Sequence, residues 1–344
     1  MIRVPHNRLT HGAAERDAVA AVVSSGRWSC GPAVERFERA LAARVGRQHA
    51  VAVGSGVGAL RLALLSLGVG AGDEVIVPAY SCVALANAAL ACGARPVPVD
   101  VVRDAWTIDP RAVTVTPRTK AIVAVHTFGA AADVKALAGF GVPVIEDCAH
   151  GIAVGGMGSL ATIAITSFYA TKLIGAGEGG AVMADDPAIA AFVRRWRDYG
   201  EQGANGTRLN DKLTEFAAAL AGCQMERLDE FLEARRIRAE RYRTAFVEIA
   251  RAGAITLPPA ADRAWYRYAV EFARFDAPEA IARLGERGVD AAEPVTDWAQ
   301  AGDSCPVSAR AFRRVVSLPL FPTLSAEEQE MVIAAVRALA AERQ

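Results

Sequence analysis

Two ionisable residues suggest the chemistry that this sequence supports. Lys172 follows Ser167-Phe-Tyr-Ala-Thr and precedes a glycine-rich run that begins at Gly175. Asp147, twenty-five residues upstream, ends the apolar segment Val144-Ile-Glu-Asp. A lysine can form a Schiff base with an aldehyde cofactor, and an aspartate can keep a pyridinium nitrogen protonated. Because a pyridoxal phosphate (PLP) enzyme requires both from its protein, the pair predicts PLP chemistry.

The sequence also contains a candidate site for a phosphate group. The segment Gly54-Ser-Gly-Val-Gly58 lies between a strand-like run and a helical pattern. The backbone N–H groups of Gly56, Val57 and Gly58 would therefore point at an anion at the helix N-terminus. The hydroxyl of Ser167 could add a further donor. On its own this segment is also compatible with an ordinary strand-to-helix turn.

A second glycine run resembles a dinucleotide-binding motif. Gly175-Ala-Gly-Glu-Gly-Gly180 matches G-x-G-x-x-G, but the apolar run Ala181–Met183 follows it where the motif requires a helix. We therefore interpret the run as a loop whose backbone can pass close to a bound cofactor. A nicotinamide-dependent oxidoreductase is an alternative that rests on this match alone.

Composition narrows the class of protein. The 344 residues are 52% hydrophobic and 22% charged, with a formal net charge of zero, which favours a water-soluble enzyme and argues against a nucleic-acid partner. Six scattered cysteines and five histidines include no CxxC or HxxxH pair, so no metal site is expected. Free cysteines and the absence of a signal peptide or a long apolar segment predict a cytoplasmic protein without a membrane anchor.

Short apolar runs alternate with helical patterns along the first two thirds of the chain, which predicts a mainly parallel α/β sheet. The predicted strands are His49–Val53, Glu74–Pro78, Arg95–Val99, Ala121–Val125, Val142–Glu146, Ala161–Phe168 and Gly180–Met183. The predicted helices are Ala13–Ser25, Val34–Val45, Ala59–Leu67, Met225–Tyr242, Pro278–Arg287 and Ser325–Ala341, with a further strand over Trp265–Phe272. The long charged helix suggests a boundary between a large domain, 1–240, and a smaller α+β domain, 241–344.

Taken in order, these motifs resemble the DegT/DnrJ/StrS family of PLP-dependent sugar aminotransferases. The resemblance rests on Gly31–Glu38, Ser55–Leu60, Gly72–Pro78, Val125–Gly129 with Asp133, Glu146–His150, Ser167–Lys172, Gly177–Gly180 and Leu318–Pro322. It therefore covers most of the chain. It implies the type I aminotransferase fold, with a large PLP-binding domain and a small C-terminal domain.

The resemblance also implies a role for each site residue. Lys172 would form the Schiff base and Asp147 would contact the pyridine nitrogen, while His150 would stand where the family usually has a glutamine against the ring oxygen. Ser167 and the backbone of Gly56, Val57 and Gly58 would hold the phosphate. Asn210 would reach the phosphate of the neighbouring subunit, so a homodimer with shared sites is expected.

Several positions depart from the family pattern. Val57 stands where a threonine is usual, and Lys212 where an arginine is usual. Arg267 stands where a histidine commonly precedes the tyrosine, here Tyr268. Cys82 occupies the place of the aromatic residue that commonly stacks on the cofactor. Tyr80 could replace that residue, but alternation along a strand would point its side chain elsewhere. These departures leave Schiff-base chemistry intact and concern the cofactor face and the substrate entrance.

The predicted function is an aminotransferase of secondary-metabolite or glycan biosynthesis. It would move an amino group from glutamate or glutamine to a nucleotide-linked keto sugar or a keto-cyclitol, and its partners would be these small molecules and a second copy of the chain. One alternative is a PLP-dependent dehydratase of the same fold. Sugar dehydratases of the family typically replace the lysine with histidine, so Lys172 favours amino transfer over that reaction, but an aromatic-forming dehydratase related to aminoshikimate-type synthases would retain the lysine. Another is a non-catalytic regulatory homologue.

Overall fold

The larger sheet is built from the first part of the chain. The computed structural model describes residues 4–199, 208–260, 263–300 and 302–342. The strands of this sheet are β1 (His49–Val53), β2 (Glu74–Pro78), β3 (Arg95–Val99), β4 (Thr119–Val125), β5 (Val144–Asp147), β6 (Ile163–Ser167) and β7 (Gly180–Ala184). Within the described ranges it has seven strands in the order β1-β7-β6-β5-β4-β2-β3. All the strands predicted for this region are present, with shifts of a few residues at their ends.

Strand β7 alone runs against the direction of the rest of this sheet. It is antiparallel to both β1 and β6, whereas β2, β3, β4, β5 and β6 pair with one another in parallel. The prediction of a mainly parallel sheet is therefore confirmed. The carboxyl ends of six strands lie along one edge, which is where α/β sheets place their ligand sites.

Helices cover the sheet and make up much of the remaining chain. They are α1 (Ala13–Ser25), α2 (Pro32–Val45), α3 (Gly56–Ser66), α4 (Ala84–Ala91), α5 (Val134–Ala138), α6 (Pro187–Trp196), α7 (Glu215–Glu226), α8 (Leu228–Arg251), α9 (Ala277–Glu286), α10 (Pro306–Arg314) and α11 (Ala326–Ala341). The side chains of Ser55, Asp186, Thr214 and Ser325 accept N–H groups at the starts of their helices. Among the described residues, no helix has both the length and the apolarity needed to span a membrane.

Local geometry explains where helix boundaries differ from the prediction. Ser55 is extended and its hydroxyl accepts the N–H of Gly58, so α3 begins at Gly56, three residues earlier than the hydrophobic pattern indicated. The predicted helix Met225–Tyr242 is divided between α7 and α8, because the backbone at Arg227 turns out of helical geometry (φ −98°, ψ 5°).

The last third of the chain forms a separate small sheet. Its strands are β8 (Ile255–Thr256), β9 (Tyr268–Phe272) and β10 (Val315–Leu318), paired antiparallel in the order β10-β9-β8. Strand β9 begins three residues later than predicted, after Trp265 with its positive φ of 46°. Val4 pairs with Val289, so the beginning of the described chain lies against this unit. The boundary at residue 240 falls within α8, and the division into two domains stays a prediction.

A buried carboxylate holds the loop that joins β5 to β6. The Glu146 side chain is 0% exposed and accepts the backbone N–H groups of Gly158 (3.0 Å), Leu160 (2.9 Å) and Ala161 (2.8 Å). The ring of His126 contacts the same carboxylate at 3.2 Å. Burial alone would raise the pKa of Glu146, but these hydrogen bonds outweigh it and the pKa lies below its usual value. The charge of Glu146 therefore positions the loop immediately after Asp147.

Replacing Glu146 with glutamine should destabilise the protein. The amide keeps one acceptor oxygen where the carboxylate has two, and it places an NH2 group against backbone N–H donors. We expect the free energy of unfolding to fall by about 2–4 kcal/mol. Urea denaturation measures this loss. The matched control is Glu248→Gln, at an exposed i,i+3 pair with Arg251, for which a change below about 0.5 kcal/mol is expected. Equal effects of the two substitutions would contradict this account.

Candidate active site

A cavity of about 370 Å³ opens at the carboxyl edge of the large sheet. Its walls come from the ends of β1, β2, β4, β5 and β6 and from the segment around Tyr266. Seven of the nine residues that the sequence analysis selected line it: Gly56, Val57, Cys82, Asp147, His150, Ser167 and Lys172. Gly58 and Asn210 do not. The strand order therefore brings together residues that lie more than a hundred positions apart in the sequence.

The start of α3 forms one wall of the cavity. Gly56 and Val57 occupy the first two helical positions, where backbone N–H groups have no acceptor within the helix. A side chain at Gly56 is excluded, because its Cβ would lie 2.8 Å from the Cβ of Ser167. Gly58 N–H donates to the Ser55 hydroxyl at 3.0 Å. The structure thus gives Gly58 an internal partner, while Gly56, Val57 and Ser167 face the cavity together.

Asp147 ends β5 and is almost completely buried, with 9% of its surface exposed. Its Oδ1 atom accepts the N–H of Ala149 at 2.9 Å. No described residue donates a hydrogen bond to Oδ2. Burial raises the pKa of Asp147 above its ordinary value, although the Ala149 hydrogen bond and the charge of Lys172 oppose that rise. A positively charged partner beside Oδ2 would favour the ionised form of this carboxyl group.

Lys172 lies in the loop between β6 and β7. Its N–H donates to the carbonyl of Tyr169 at 2.8 Å, and the loop is closed by hydrogen bonds from Ala170 to Gly177 and from Ala176 to Phe168. The Gly175–Gly180 run thus lies in a loop between two strands and leads into β7, as expected from its sequence context. The Lys172 Nζ atom lies 4.9 Å from the centroid of the Tyr266 ring. It forms no ion pair with a described residue.

Two stacked rings stand beside Lys172. His150 and Tyr266 lie 4.2 Å apart between ring centroids, with 13° between their planes. His150 Nδ1 accepts the N–H of Phe128 at 3.3 Å, so a neutral His150 carries its proton on Nε2. Burial, followed by the charges of Lys172 and Arg267, lowers the pKa of His150 well below its ordinary value. His150 is therefore a neutral donor.

Tyr266 is the clearest site residue that sequence reasoning missed. Burial would raise the pKa of its phenol, but the charges of Lys172 and Arg267 outweigh that effect and bring the pKa down to about 8. Its hydroxyl lies 3.5 Å from the Thr171 hydroxyl. The sequence predicts a strand over Trp265–Phe272, and nothing in its local pattern shows that Tyr266 reaches a lysine nearly a hundred positions away.

The residues after β2 also correct one expectation. Tyr80 lines the same cavity as Cys82, contrary to the inference from strand alternation, because β2 ends at Pro78 and Tyr80 lies beyond it. Tyr80 is completely buried and packs edge-on against Phe128, with ring centroids 6.2 Å apart. Its hydroxyl has no hydrogen-bond partner within the described ranges. An aromatic ring thus remains at this wall although Cys82 itself is a thiol.

Asn210 lies outside the cavity of its own chain and is exposed. The next residue fixes its segment: the carbonyl of Asp211 accepts the N–H of Gly54 at 2.6 Å, and the Asp211 carboxylate pairs with Arg61 at 2.5 Å. Lys212 pairs with Asp198 at 3.0 Å. The side chain of Asn210 is consequently available at the surface next to the start of α3. Its contact with a second subunit stays a prediction.

Of the described side chains, His126, Glu146 and Cys148 group most closely as possible metal ligands. Both ring nitrogens of His126 already have partners, since Nδ1 accepts the N–H of Ala132 at 3.1 Å and Nε2 contacts Glu146. Burial raises the pKa of the Cys148 thiol well above its usual range. Because the thiol is neutral and the His126 and Glu146 atoms already have hydrogen-bond partners, we interpret this group as a structural network and not as a metal site.

The comparison with protein families agrees with this geometry. Residues 10–337 match the DegT/DnrJ/EryC1/StrS aminotransferase family. The chain belongs to this family. The resemblance inferred from the sequence motifs is confirmed, and with it the aminotransferase activity class and the α/β fold.

Curated and solved relatives span the whole chain. It is 38% identical to dTDP-3-amino-3,4,6-trideoxy-alpha-D-glucose transaminase of Streptomyces venezuelae, in an alignment that covers 94% of this chain and 92% of the relative. The crystal structure of S. venezuelae DesV in complex with a ketimine intermediate has a TM-score of 0.91 at 34% identity and covers 100% of both chains. NtdA of Bacillus subtilis, solved with bound cofactor PMP, has a TM-score of 0.91 at 27% identity and covers 99% of this chain and 86% of its own.

The burial of His6 predicts a pH-dependent stability. Burial, with the charge of Arg267, lowers the pKa of His6 to about 4. The unfolded chain, with a histidine pKa near 6.5, then binds more protons than the folded chain at acid pH. The contribution of His6 to the free energy of unfolding is therefore fully present above about pH 6.5 and is lost as the pH falls towards 4. Between pH 7 and pH 5 the loss due to His6 should be about 2 kcal/mol.

Urea denaturation of the wild type and of His6→Gln at pH 7 and pH 5 measures this contribution. Glutamine does not titrate, so the variant should lose less stability than the wild type over this interval. Identical pH dependence in the two proteins would show that His6 is not the group responsible.

Proposed function

We propose that this protein is a PLP-dependent aminotransferase that transfers the amino group of glutamate or glutamine to a nucleotide-linked keto sugar or a keto-cyclitol. The observation that carries the proposal is the convergence of Lys172, buried Asp147 and the start of α3 on one cavity of about 370 Å³. The transaminase and the PMP-bound structure among the relatives support both the reaction and the cofactor.

The residues present fit PLP. Asp147 offers Oδ2, which no described donor uses, to a pyridinium nitrogen, and a positive charge there would favour the ionised carboxylate that burial otherwise disfavours. Gly56 and Val57 offer unpaired N–H groups, and Ser167 offers a hydroxyl beside Gly56, to a phosphate. His150 keeps its Nε2 proton for the ring oxygen. The Gly58 N–H would contact the phosphate only if it shared its hydrogen bond between the phosphate and the Ser55 hydroxyl.

Each of these residues would then have a defined task. When bound, PLP supplies an electron sink that stabilises the negative charge left on the donor's α-carbon. Lys172 would hold the aldehyde carbon until the donor displaces its Nζ, and that amine would then carry the proton from the α-carbon as general base and acid. Asp147 would keep the pyridine nitrogen protonated. Tyr266 would confine the Lys172 side chain on one side.

Replacing Lys172 with alanine should abolish both the spectroscopic signature and the reaction. Purified with PLP, the wild type should show a visible absorption band that bleaches when glutamate or glutamine is added. Lys172→Ala should lack the band and lose at least about a thousandfold in transamination rate, since covalent attachment and proton transfer are lost together. A wild-type rate in the variant would contradict the assignment.

Matched lysine and spectroscopic controls separate the alternatives. Lys135→Ala removes an exposed lysine from α5 and should leave the band unchanged. A wild-type band that persists with both donors, with loss of water from the acceptor, would indicate the dehydratase of the same fold. A protein that gives no band at all would indicate the non-catalytic homologue.

We also propose that the enzyme is a homodimer in which Asn210 completes the partner's phosphate site. The support is the exposed position of Asn210 beside the start of α3 and its absence from the cavity of its own chain. Val57, 39% exposed, lies at the same surface. A phosphate held by Gly56, Val57 and Ser167 would therefore be open towards a second subunit on this side.

Subunit complementation tests the shared site. If Asn210→Ala lowers activity strongly on its own, mixing it with Lys172→Ala should restore activity, because a heterodimer contains one site with Lys172 from one chain and Asn210 from the other. Random pairing predicts about a quarter of wild-type activity. Two variants that stay inactive when refolded together, although dimers form, would show that each site is built from one chain.

A further inference from the structure

Two guanidinium groups near Lys172 have no carboxylate partner among the described residues. Arg267 and Arg235 both line a small cavity of about 50 Å³, together with Thr171, Tyr266 and His6. Neither arginine forms an ion pair with a described residue. Arginine retains its charge in proteins, so two positive charges stand close together without compensation. Such an arrangement is costly unless an anion binds between or beside the two groups.

Arg267 makes only neutral contacts. Its Nη1 donates to His6 Nε2 at 3.1 Å and lies 3.4 Å from the Ser317 hydroxyl, while its buried Nε has no partner in the described part of the chain. His6 must accept this bond through an unprotonated nitrogen, so it cannot neutralise the guanidinium. Asp290 is the acid beside His6, but its carboxylate accepts the backbone N–H of His6 at 3.3 Å and no arginine bond.

Arg235 is more deeply buried and equally unpaired. It is 4% exposed, and its Nη1 donates to the carbonyls of Leu320 (2.8 Å) and Tyr266 (3.1 Å). No described residue accepts a hydrogen bond from its buried Nε. Burial lowers the pKa of Arg235 to about 10, which still leaves it charged at neutral pH. The backbone carbonyls therefore fix its position and supply only partial charge.

The small cavity lies next to the site of the proposed chemistry. Arg267 lines both the small cavity and the larger one that contains Lys172. The Arg267 Cζ atom and the Lys172 Nζ atom lie 5.3 Å and 4.9 Å from the same Tyr266 ring centroid. They cannot be farther apart than the sum of these two distances. An amino acid could therefore have its nitrogen at Lys172 and a carboxylate directed towards Arg267.

We propose that Arg267, with Arg235 behind it, binds a carboxylate of the amino donor. The inference rests on the proposed aminotransferase function and adds the residue that would recognise its amino-acid substrate. A guanidinium can bind a carboxylate through two parallel hydrogen bonds, which fixes the orientation of the donor as well as its position. A buried arginine without a carboxylate partner does not by itself indicate a ligand site. Arg263 is an example, since it contacts the carbonyls of Thr127 and Phe128 and lines no cavity described above.

Donor titration of the PLP-loaded protein tests the proposal. The wild type, Arg267→Leu and Arg267→Lys are each mixed with increasing glutamate, and bleaching of the visible band is followed in the absence of acceptor. For Arg267→Leu we expect the half-saturating glutamate concentration to rise at least about tenfold, with the band position and PLP content unchanged. Arg267→Lys should lie between the two, because it keeps the charge and loses the paired geometry. Glutarate should compete with glutamate in the wild type and much less in Arg267→Leu.

The control is Arg238→Leu. Arg238 lies one turn after Arg235 on α8, and its partly buried guanidinium donates to the Leu324 carbonyl and lines none of these cavities. It should titrate like the wild type. Wild-type glutamate dependence in a folded, PLP-loaded Arg267→Leu protein would overturn the inference and leave the proposed function standing. A change confined to the KM for the acceptor would overturn it in the same way. Absence of the band from the wild type would overturn the proposed function and, with it, this inference.

Discussion

The structure depends on one constraint, the common direction of six strands in the large sheet. Because these strands end at the same edge, Gly56 after β1, Asp147 at the end of β5 and Ser167 at the end of β6 meet in one cavity. The antiparallel strand β7 makes the loop from β6 return across the sheet, and that loop carries Lys172. Gly180, at the start of β7, lies so close to Ser55 that a Cβ would approach its carbonyl to 2.5 Å. The start of α3 and the start of β7 are thereby held close together.

Charge distribution gives the cavity its chemical character. Among the acid groups near the site, Glu146 is engaged by the 158–161 loop, Asp147 keeps one free oxygen, and Glu178 lines the large cavity. Positive groups behave differently: Lys172, Arg267 and Arg235 carry no paired carboxylate among the described residues. His6 and His150 are kept neutral by burial and by these same charges. Unpaired positive charge is therefore concentrated around Tyr266, where it would suit the carboxylate of an amino donor.

How much of this was accessible from the sequence depends on the range of each interaction. Asp147, Ser167 and Lys172 lie within one stretch of chain and carry a recognisable order, so their convergence could be predicted. The mainly parallel sheet could also be predicted, because short apolar runs that alternate with helical patterns are a local feature of the sequence. Tyr266 and Arg235 were missed because they reach the site through packing of the small sheet and α8, and Arg267 was recognised only as a departure from the family pattern. The Tyr80 prediction was wrong because alternation was extended past the end of β2.

Covalent labelling tests the central claim most directly. The chain contains only four lysines, Lys120, Lys135, Lys172 and Lys212. Lys172 is the one that lines the large cavity, and Lys212 is paired with Asp198. Borohydride reduction of the PLP-loaded protein, followed by peptide mass mapping, should place a single phosphopyridoxyl group on Lys172. A label on another lysine, or none on Lys172 at saturating PLP, would contradict the account.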